Sequence, residues 1–354
     1  MGMNIPHFGL SRQYKNLKDE LLDATHRALK DGQLVGGQYT RAFEEWLKLR
    51  TKTKYAVTVH SGTQALEIIA RYKKINHGQI MQGNPKIRVP NLTYPATLNA
   101  FLTAGWEIEL GDTDKYGILS RTVSSGVYEC PVGFAGRRPW PETNYQEHPY
   151  IIVDGAQHWL ECGGNVGSGM AISFDATKNL NASGNGGAIV TNDEHLYLYA
   201  VRHKDNNKPD FYEAGTNSKM SEQECAQLLI RAKYINGWQK RRKEISEFWC
   251  DRFNELPIIC LNNTTCPHAF QKFVIYMPDR NSFHTHMILN GVDTKIHYEY
   301  TLGDLPLTFG WNKPDMLNTS VMLSRGVISL PLYPELTDIE INYIADKVDE
   351  YFRK

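Results

Sequence analysis

Tyr55-Ala56-Val57-Thr58-Val59-His60-Ser61-Gly62-Thr63-Gln64-Ala65-Leu66-Glu67-Ile68-Ile69-Ala70 is the stretch that decides the fold. Its first five residues read as a buried strand, and His60-Ser61-Gly62-Thr63 then turns straight into apolar positions at helical spacing. The same grammar returns along the chain. Ile87 to Pro90 precedes a Thr/Tyr/Pro loop and a helix, Trp106 to Leu110 precedes Gly111-Asp112, and Ile151-Ile152-Val153 precedes Asp154. Met170 to Phe174 and Ala188 to Thr191 give two further strands, close enough together to permit an antiparallel edge. Such alternation predicts an α/β fold: a mainly parallel sheet flanked by helices on both faces.

Upstream, Leu17, Leu21, Leu22, Ala28 and Leu29 mark an amphipathic helix that Asp31-Gly32 closes, and a second helix is expected from about Thr40 to Leu49. A long helical region opens at Ser221, which with Glu224 has the pattern of a capping box, and runs toward Phe253 with a break expected at Gly237. Beyond it the pattern changes. A strand (Phe273 to Met277), a helix ending at Asn290-Gly291, strands near Ile296 and at Val327 to Leu330, and a terminal helix capped by Thr337 with Glu340 make a smaller α+β unit. The expected division is a large ligand-binding α/β domain over 1–240 and a small C-terminal α+β domain over 241–354, with the N-terminal segment able to pack on the latter.

The 354 residues carry 39 Lys plus Arg against 39 Asp plus Glu, so no global field recruits nucleic acid or an anionic membrane surface. A small-molecule ligand is the expectation. Six scattered cysteines form no Cys-x-x-Cys pair, and neither a signal-peptide segment nor an apolar run of membrane-spanning length is read, which points to a cytoplasmic protein without a metal site.

Several residues could carry chemistry. Lys178 follows a strand and precedes the glycine-rich turn Gly184-Asn185-Gly186-Gly187; a lysine at a strand's exit can reach a cleft, although most lysines are surface residues. Asp154 stands at the carboxyl end of an apolar strand, where open α/β sheets place ligands, and could equally be a turn or N-cap aspartate. Gln157 is three residues on. Ser61-Gly62-Thr63 opens a helix directly after a strand, so its free N–H groups can hold a phosphate or simply cap the helix. Tyr94, in a loop after a strand, could stack on a flat ligand or pack in the core. An amine, a carboxylate, a phosphate cradle and a ring clamp are together what pyridoxal 5′-phosphate (PLP) chemistry demands of a protein. By contrast, His284 and His286 do not face one another on a helix, Gly163 to Gly169 lacks the dinucleotide fingerprint and reads as a loop, and Lys240-Arg241-Arg242-Lys243 reads as one solvated helical face.

The order Ser61-Gly62-Thr63-Gln64-Ala65-Leu66, Asp154-Gly155-Ala156-Gln157, Ser173-Phe174-Asp175-Ala176-Thr177-Lys178-Asn179-Leu180 and Gly184-Asn185-Gly186-Gly187 resembles the DegT/DnrJ/StrS family of PLP-dependent sugar aminotransferases. The likeness extends to Gly215 to Ser221, to Gly291-Val292-Asp293 with His297-Tyr298, and to Ser329 to Thr337. It implies the type I fold of PLP enzymes, with Lys178 as the Schiff-base lysine, Asp154 on the ring nitrogen, Gln157 near the ring hydroxyl and Tyr94 stacked on the ring. Gly62, Thr63 and Ser173 would hold the phosphate. Asn217 resembles the asparagine that reaches the neighbouring subunit's phosphate, so a homodimer with shared sites is implied. His297 and Tyr298 are candidates for substrate contact.

The resemblance further implies an amino donor, usually glutamate, and an acceptor that is a keto sugar, typically nucleotide-linked. Cys130 to Gly136 stands where the family commonly has His-Leu-Tyr-Gly, which keeps a non-sugar cyclic ketone open as acceptor. A PLP-fold regulatory or binding protein is the alternative from another class. Lys178 argues against the relatives that dehydrate a sugar, since those carry histidine there.

Overall fold

A computed structural model describes residues 3–80, 83–121, 126–263, 265–311 and 317–353. In chain order the elements are α1 (Leu10–Lys30), α2 (Gln38–Thr51), β1 (Tyr55–Val59), α3 (Gly62–Ile80), β2 (Lys86–Pro90), α4 (Pro95–Thr103), β3 (Glu107–Gly111), β4 (Tyr128–Glu129), β5 (Val153–Asp154), β6 (Met170–Ser173), β7 (Gly187–Thr191), α5 (Glu194–His203), α6 (Glu222–Ala232) and α7 (Ile235–Arg252). Then follow β8 (Ile259–Cys260), β9 (Phe273–Tyr276), α8 (Arg280–Leu289), α9 (Asn318–Gly326), β10 (Val327–Leu330) and α10 (Asp338–Phe352).

The β1–α3 unit is built as its sequence reads. Val57 and Val59 on one face of β1 and Ala65, Leu66, Ile68 and Ile69 on α3 are all buried in one apolar layer. Two ladders, β3-β2-β4 and β1-β7-β6-β5, are joined by parallel bridges Glu129↔Ile151 and Val132↔Asp154. The result is one sheet in the order β3-β2-β4-β5-β6-β7-β1. Its pairings are parallel as far as β6; β7 runs antiparallel to both β6 and β1. The antiparallel strand is therefore interior, not an edge, because β1 adds beyond it. One apolar layer on the sheet centres on Phe43, Trp159, Phe174 and Ile172, and a second on Leu66, Ile69, Phe101 and Trp106, so both faces are covered as a mainly parallel sheet requires.

α1 packs Leu17, Leu21, Ala24 and Ala28 on Ala226 and Ile230 of α6, whereas Leu22 and Leu29 stand about half exposed, each at 51%. α2 begins two residues before the expected Thr40, and Gly37 at its start offers no side-chain cap. The cap comes from far away: the buried Glu222 carboxylate accepts from the N–H groups of Gly37, Tyr39 and Thr40 at 2.8–2.9 Å and from the Thr40 hydroxyl. Ser221 Oγ accepts from Glu224 N at 3.3 Å, but the Glu224 carboxylate turns to Ser183 N, so the expected capping box is only half formed. The helical region breaks at Lys233-Tyr234 and not at Gly237, which lies inside α7. Nor is the basic cluster a uniform solvated face. Arg242 is buried and donates to Leu332 O at 2.6 Å and Phe270 O at 3.4 Å.

Beyond α7, β8, β9 and β10 form an antiparallel sheet whose core includes Trp249, Phe273, Phe283 and Ile344. Ile5 enters this core and forms a parallel bridge with Val292. The strand expected near Ile296 is reduced to one bridge, Lys295 with Ser329. Residues 301–304 and α9 return to the large sheet, where Asn91 holds Ser320 Oγ and Gly303 N, each at 2.9 Å. Among the described residues no helix is long and apolar enough to cross a membrane.

Candidate active site

A cavity of about 430 Å³ opens at the carboxyl ends of β5 and β6, against the start of α3. It gathers Gly62, Thr63, Tyr94, Asp154, Gln157, Ser173, Lys178, His297 and Tyr298 from segments far apart in sequence. Asn217 is the exception: it is exposed and lies outside this cavity.

The floor depends on close backbone approach. A Cβ on Gly62 would come within 2.8 Å of Ser173 Cβ and 3.1 Å of Ser173 Cα, and one on Gly187 would lie 2.3 Å from the carbonyl carbon of Ser61. Only glycine lets β6, β7 and the start of α3 meet so closely. Ser61 Oγ accepts from Gln64 N at 3.1 Å, and the first-turn N–H groups of α3 leave an anion-favouring end at the cavity.

Asp154 ends β5, buried. Thr97 of α4 donates to its Oδ2 at 2.8 Å and Ala156 N to its Oδ1 at 3.1 Å. Burial pushes its pKa up, while these two donors and the charge of Lys178 pull it back toward the ionised form. Lys178 follows a tight turn in which Asp175 Oδ1 accepts from Thr177 N at 3.0 Å and Thr177 Oγ1 at 2.6 Å, and Lys178 N donates to Asp175 O at 2.9 Å. Desolvation lowers the pKa of its amine, opposed by Asp154 and Asp175. The amine is thus closer to its free-base form than a surface lysine.

Gln157 is fixed from both ends. Its Oε1 accepts from Ala135 N at 3.1 Å and from Lys272 Nζ at 3.3 Å, and its Nε2 donates to Tyr298 OH at 3.4 Å. Burial raises the Tyr298 phenol, as does the Asp154 charge. His297 Nδ1 pairs with Ser329 Oγ at 2.9 Å, and burial lowers its pKa strongly. Tyr94 keeps 60% of its surface exposed, with its ring centroid 6.0 Å from that of Tyr298.

Phe8, Thr97, Asp175, Thr177 and Lys272 also line the cavity and were not singled out from the sequence. Thr97 lies one helical turn after Thr93 in the loop-to-helix segment already read as ligand-facing, a signal that was available. Phe8 and Lys272 come from segments whose nearness to Lys178 only the tertiary fold creates. His284 and His286 bond to Thr294 Oγ1 and Lys347 O respectively, and among the described residues no cluster of three metal-ligating side chains occurs.

The residues fit PLP. They supply N–H groups for a phosphate at Ser61 to Thr63, a buried carboxylate for a protonated ring nitrogen at Asp154, an amide donor at Gln157, an exposed aromatic face at Tyr94 and an amine at Lys178. An α/β sheet of this order with a lysine and an aspartate converging at its carboxyl end defines a PLP-type transferase site.

The model of the DegT/DnrJ/EryC1/StrS aminotransferase family matches residues 15–122 and 153–349, and the chain belongs to that family. It is a PLP-dependent aminotransferase of fold type I. It is 27% identical to a dTDP-3-amino-3,4,6-trideoxy-alpha-D-glucose transaminase of Streptomyces venezuelae, over 98% of this chain and 96% of that protein. It is also 24% identical to a pleiotropic regulatory protein of Geobacillus stearothermophilus, over 99% of each chain. Among solved structures, S. venezuelae DesV in complex with a ketimine intermediate superposes with a TM-score of 0.90, at 25% identity and covering 99% of both chains. The family model passes over residues 123–152. That interval contains Cys130 to Gly136, from which Val132 lines the cavity and Ala135 N holds Gln157.

Proposed function

We propose that the protein moves an amino group from glutamate, through PLP carried on Lys178, onto a keto sugar attached to a nucleoside diphosphate. The observation that carries this reading is the convergence of Lys178 and Asp154 in one cavity with the phosphate-favouring start of α3. When bound, the cofactor supplies an electrophilic carbon and a ring that stores electrons. Asp154 would keep a proton on the ring nitrogen, its carboxylate held in place by Thr97 and Ala156 N. Lys178, its amine eased toward the free base, would hold the cofactor and, once released, could take up and return a proton at Nζ as general base and acid. Gln157, with Oε1 occupied by two donors and one Nε2 hydrogen directed to Tyr298 OH, would have its other Nε2 hydrogen to offer to the ring hydroxyl. Gly62, Thr63 and Ser173 would receive the phosphate, and Tyr94 would cover the ring. His297 and Tyr298 contact the acceptor.

We further infer a homodimer. Asn217 stands outside its own chain's cavity, and Phe211 and Tyr212 nearby are 64% and 91% exposed, as a loop that enters a partner's site would be. A cytoplasmic setting accords with six free thiols, four of them buried. The large and small domains are read as 1–240 and 241–354. The sugar acceptor is supported by relatives that are nucleotide-sugar transaminases, among them a dTDP-3-amino-3,6-dideoxy-alpha-D-galactopyranose transaminase of Aneurinibacillus thermoaerophilus. A regulatory role is favoured by names alone, those of the G. stearothermophilus relative and of an erythromycin biosynthesis sensory transduction protein of Saccharopolyspora erythraea.

The test is to convert the cofactor to its aminated form with glutamate, remove the donor, and offer nucleotide-linked keto sugars, free keto sugars and cyclic ketones. Mass spectrometry should show amination of a nucleotide-linked sugar. Amination of the cyclic ketones alone would replace the sugar reading, and amination of nothing would favour the regulatory one.

A further inference from the structure

The cavity holds a second lysine whose one role so far is to hold Gln157. Lys272, one residue before β9, is only 7% exposed yet lines the cavity. Its Nζ donates to Gln157 Oε1 at 3.3 Å and to the side-chain oxygen of Gln271, both neutral amide carbonyls. Among the described residues it makes no ion pair. An ammonium has three donors, so these partners leave one unmet.

Its electrostatic surroundings are unbalanced. Lys178 and Arg242 repel it, Asp175 attracts it, and Lys272 in turn presses on the neighbouring imidazoles of His7 and His297. Burying a cation without a counter-ion is costly, and the cost is relieved when an anion comes to it. Burial and Lys178 accordingly hold its pKa well below the ordinary lysine range.

The anion is not the cofactor's phosphate, which the start of α3 and Ser173 receive. Lys272 belongs to another wall, the one made by Gln157, Tyr298 and His297. On that wall Lys272 stands near enough to Lys178 to feel its charge, so an anion held there lies beside the amine that reacts. We propose that Lys272 receives a carboxylate of the amino-acid donor and holds it beside Lys178 during the donor half of the reaction. This rests on the aminotransferase reading, and it names the group that selects an amino acid over a simple amine.

The probe is glutarate, a dicarboxylate with no amine, titrated calorimetrically into the PLP-loaded protein and into its Lys272→Met and Lys272→Arg variants. Retention of the cofactor's near-visible absorbance shows that the variants are folded and loaded. Loss of a charge-assisted contact should weaken glutarate in Lys272→Met by about 10- to 100-fold, and arginine should restore much of it. The concentration of glutamate needed to convert the cofactor should rise by a similar factor, well beyond any change in the reaction with a carboxylate-free alkylamine.

Equal binding of glutarate to wild type and Lys272→Met overturns the proposal, as does an equal loss of the alkylamine reaction. A variant that keeps glutarate but loses D-glucuronate would assign the carboxylate to a uronate acceptor and overturn the donor assignment. Failure of wild type to respond to glutamate counts against the donor named above. Glutarate binding still decides the role of Lys272.

Discussion

Replacing His158 with leucine should flatten the acid limb of the stability curve. His158 follows Gln157, has no exposed surface, and neither ring nitrogen finds a hydrogen-bond partner among the described residues. Gly133 makes the room: a Cβ there would lie 2.3 Å from His158 Nδ1. Burial first, and the charge of Arg138 second, lower its pKa to about 3 from the ordinary 6.5. Between those values the unfolded chain binds a proton that the native protein refuses, so stability falls as pH drops through that window. Taking 6.5 for the unfolded chain, a change from pH 7 to pH 5 removes about 2 kcal/mol through His158 alone. His268, lowered to about 3, and His7, lowered to about 4, act in the same direction, so the three together remove roughly 6 kcal/mol. Urea unfolding of wild type and His158→Leu at pH 7 and pH 5 measures the difference. The wild type should lose about 2 kcal/mol more than the variant over that interval. Equal losses would show that His158 titrates in the native protein as it does in the unfolded chain, and would refute the reasoning.

Gly62→Ala forces the start of α3 off Ser173 and should cost about 1–3 kcal/mol of stability together with weakened PLP retention, read by thermal melts and by dialysis. Unchanged retention would remove Gly62 from the cradle. Mixing Lys178→Ala and Asn217→Ala proteins after reversible dissociation should restore activity, because one site of each mixed dimer would combine an intact Lys178 with the other subunit's intact Asn217. No recovery beyond the separate variants would mean that Asn217 does not act across subunits. His297→Ala should leave the cofactor spectrum intact while slowing the acceptor half-reaction at least about tenfold, the loss of one well-placed polar contact. A stopped-flow rate equal to wild type would take His297 out of the site.

Much of the fold could be read from the chain because the strand-turn-helix grammar is local. Tyr55 to Ala70 encodes both the strand and the helix that covers it, and Asp154 and Lys178 sit at strand ends where a parallel sheet must open its ligand crevice. What stayed hidden is what depends on distant partners. Glu222 caps α2 from more than 180 residues away, so no local pattern marks Gly37 as a helix start. Arg242 is buried by carbonyls of Phe270 and Leu332, which periodicity within α7 cannot reveal. β7 became interior because β1, first of the sheet strands in sequence, adds beyond it. Lys272 and Phe8 reach the cavity only after the C-terminal unit and the N-terminal segment have docked. Within Cys130 to Gly136, Ala135 takes φ 59° to aim its N–H at Gln157, a backbone role that residue type does not announce.

The most direct test of the central claim is the absorbance of the purified protein with PLP, recorded before and after glutamate and repeated for Lys178→Ala. Wild type should show the near-visible band of lysine-bound cofactor and lose it on adding glutamate, as the cofactor becomes aminated. Lys178→Ala should lack that lysine-bound band. A band that survives in Lys178→Ala, or a wild type that never forms one, would contradict the assignment of Lys178 as the residue that carries the cofactor.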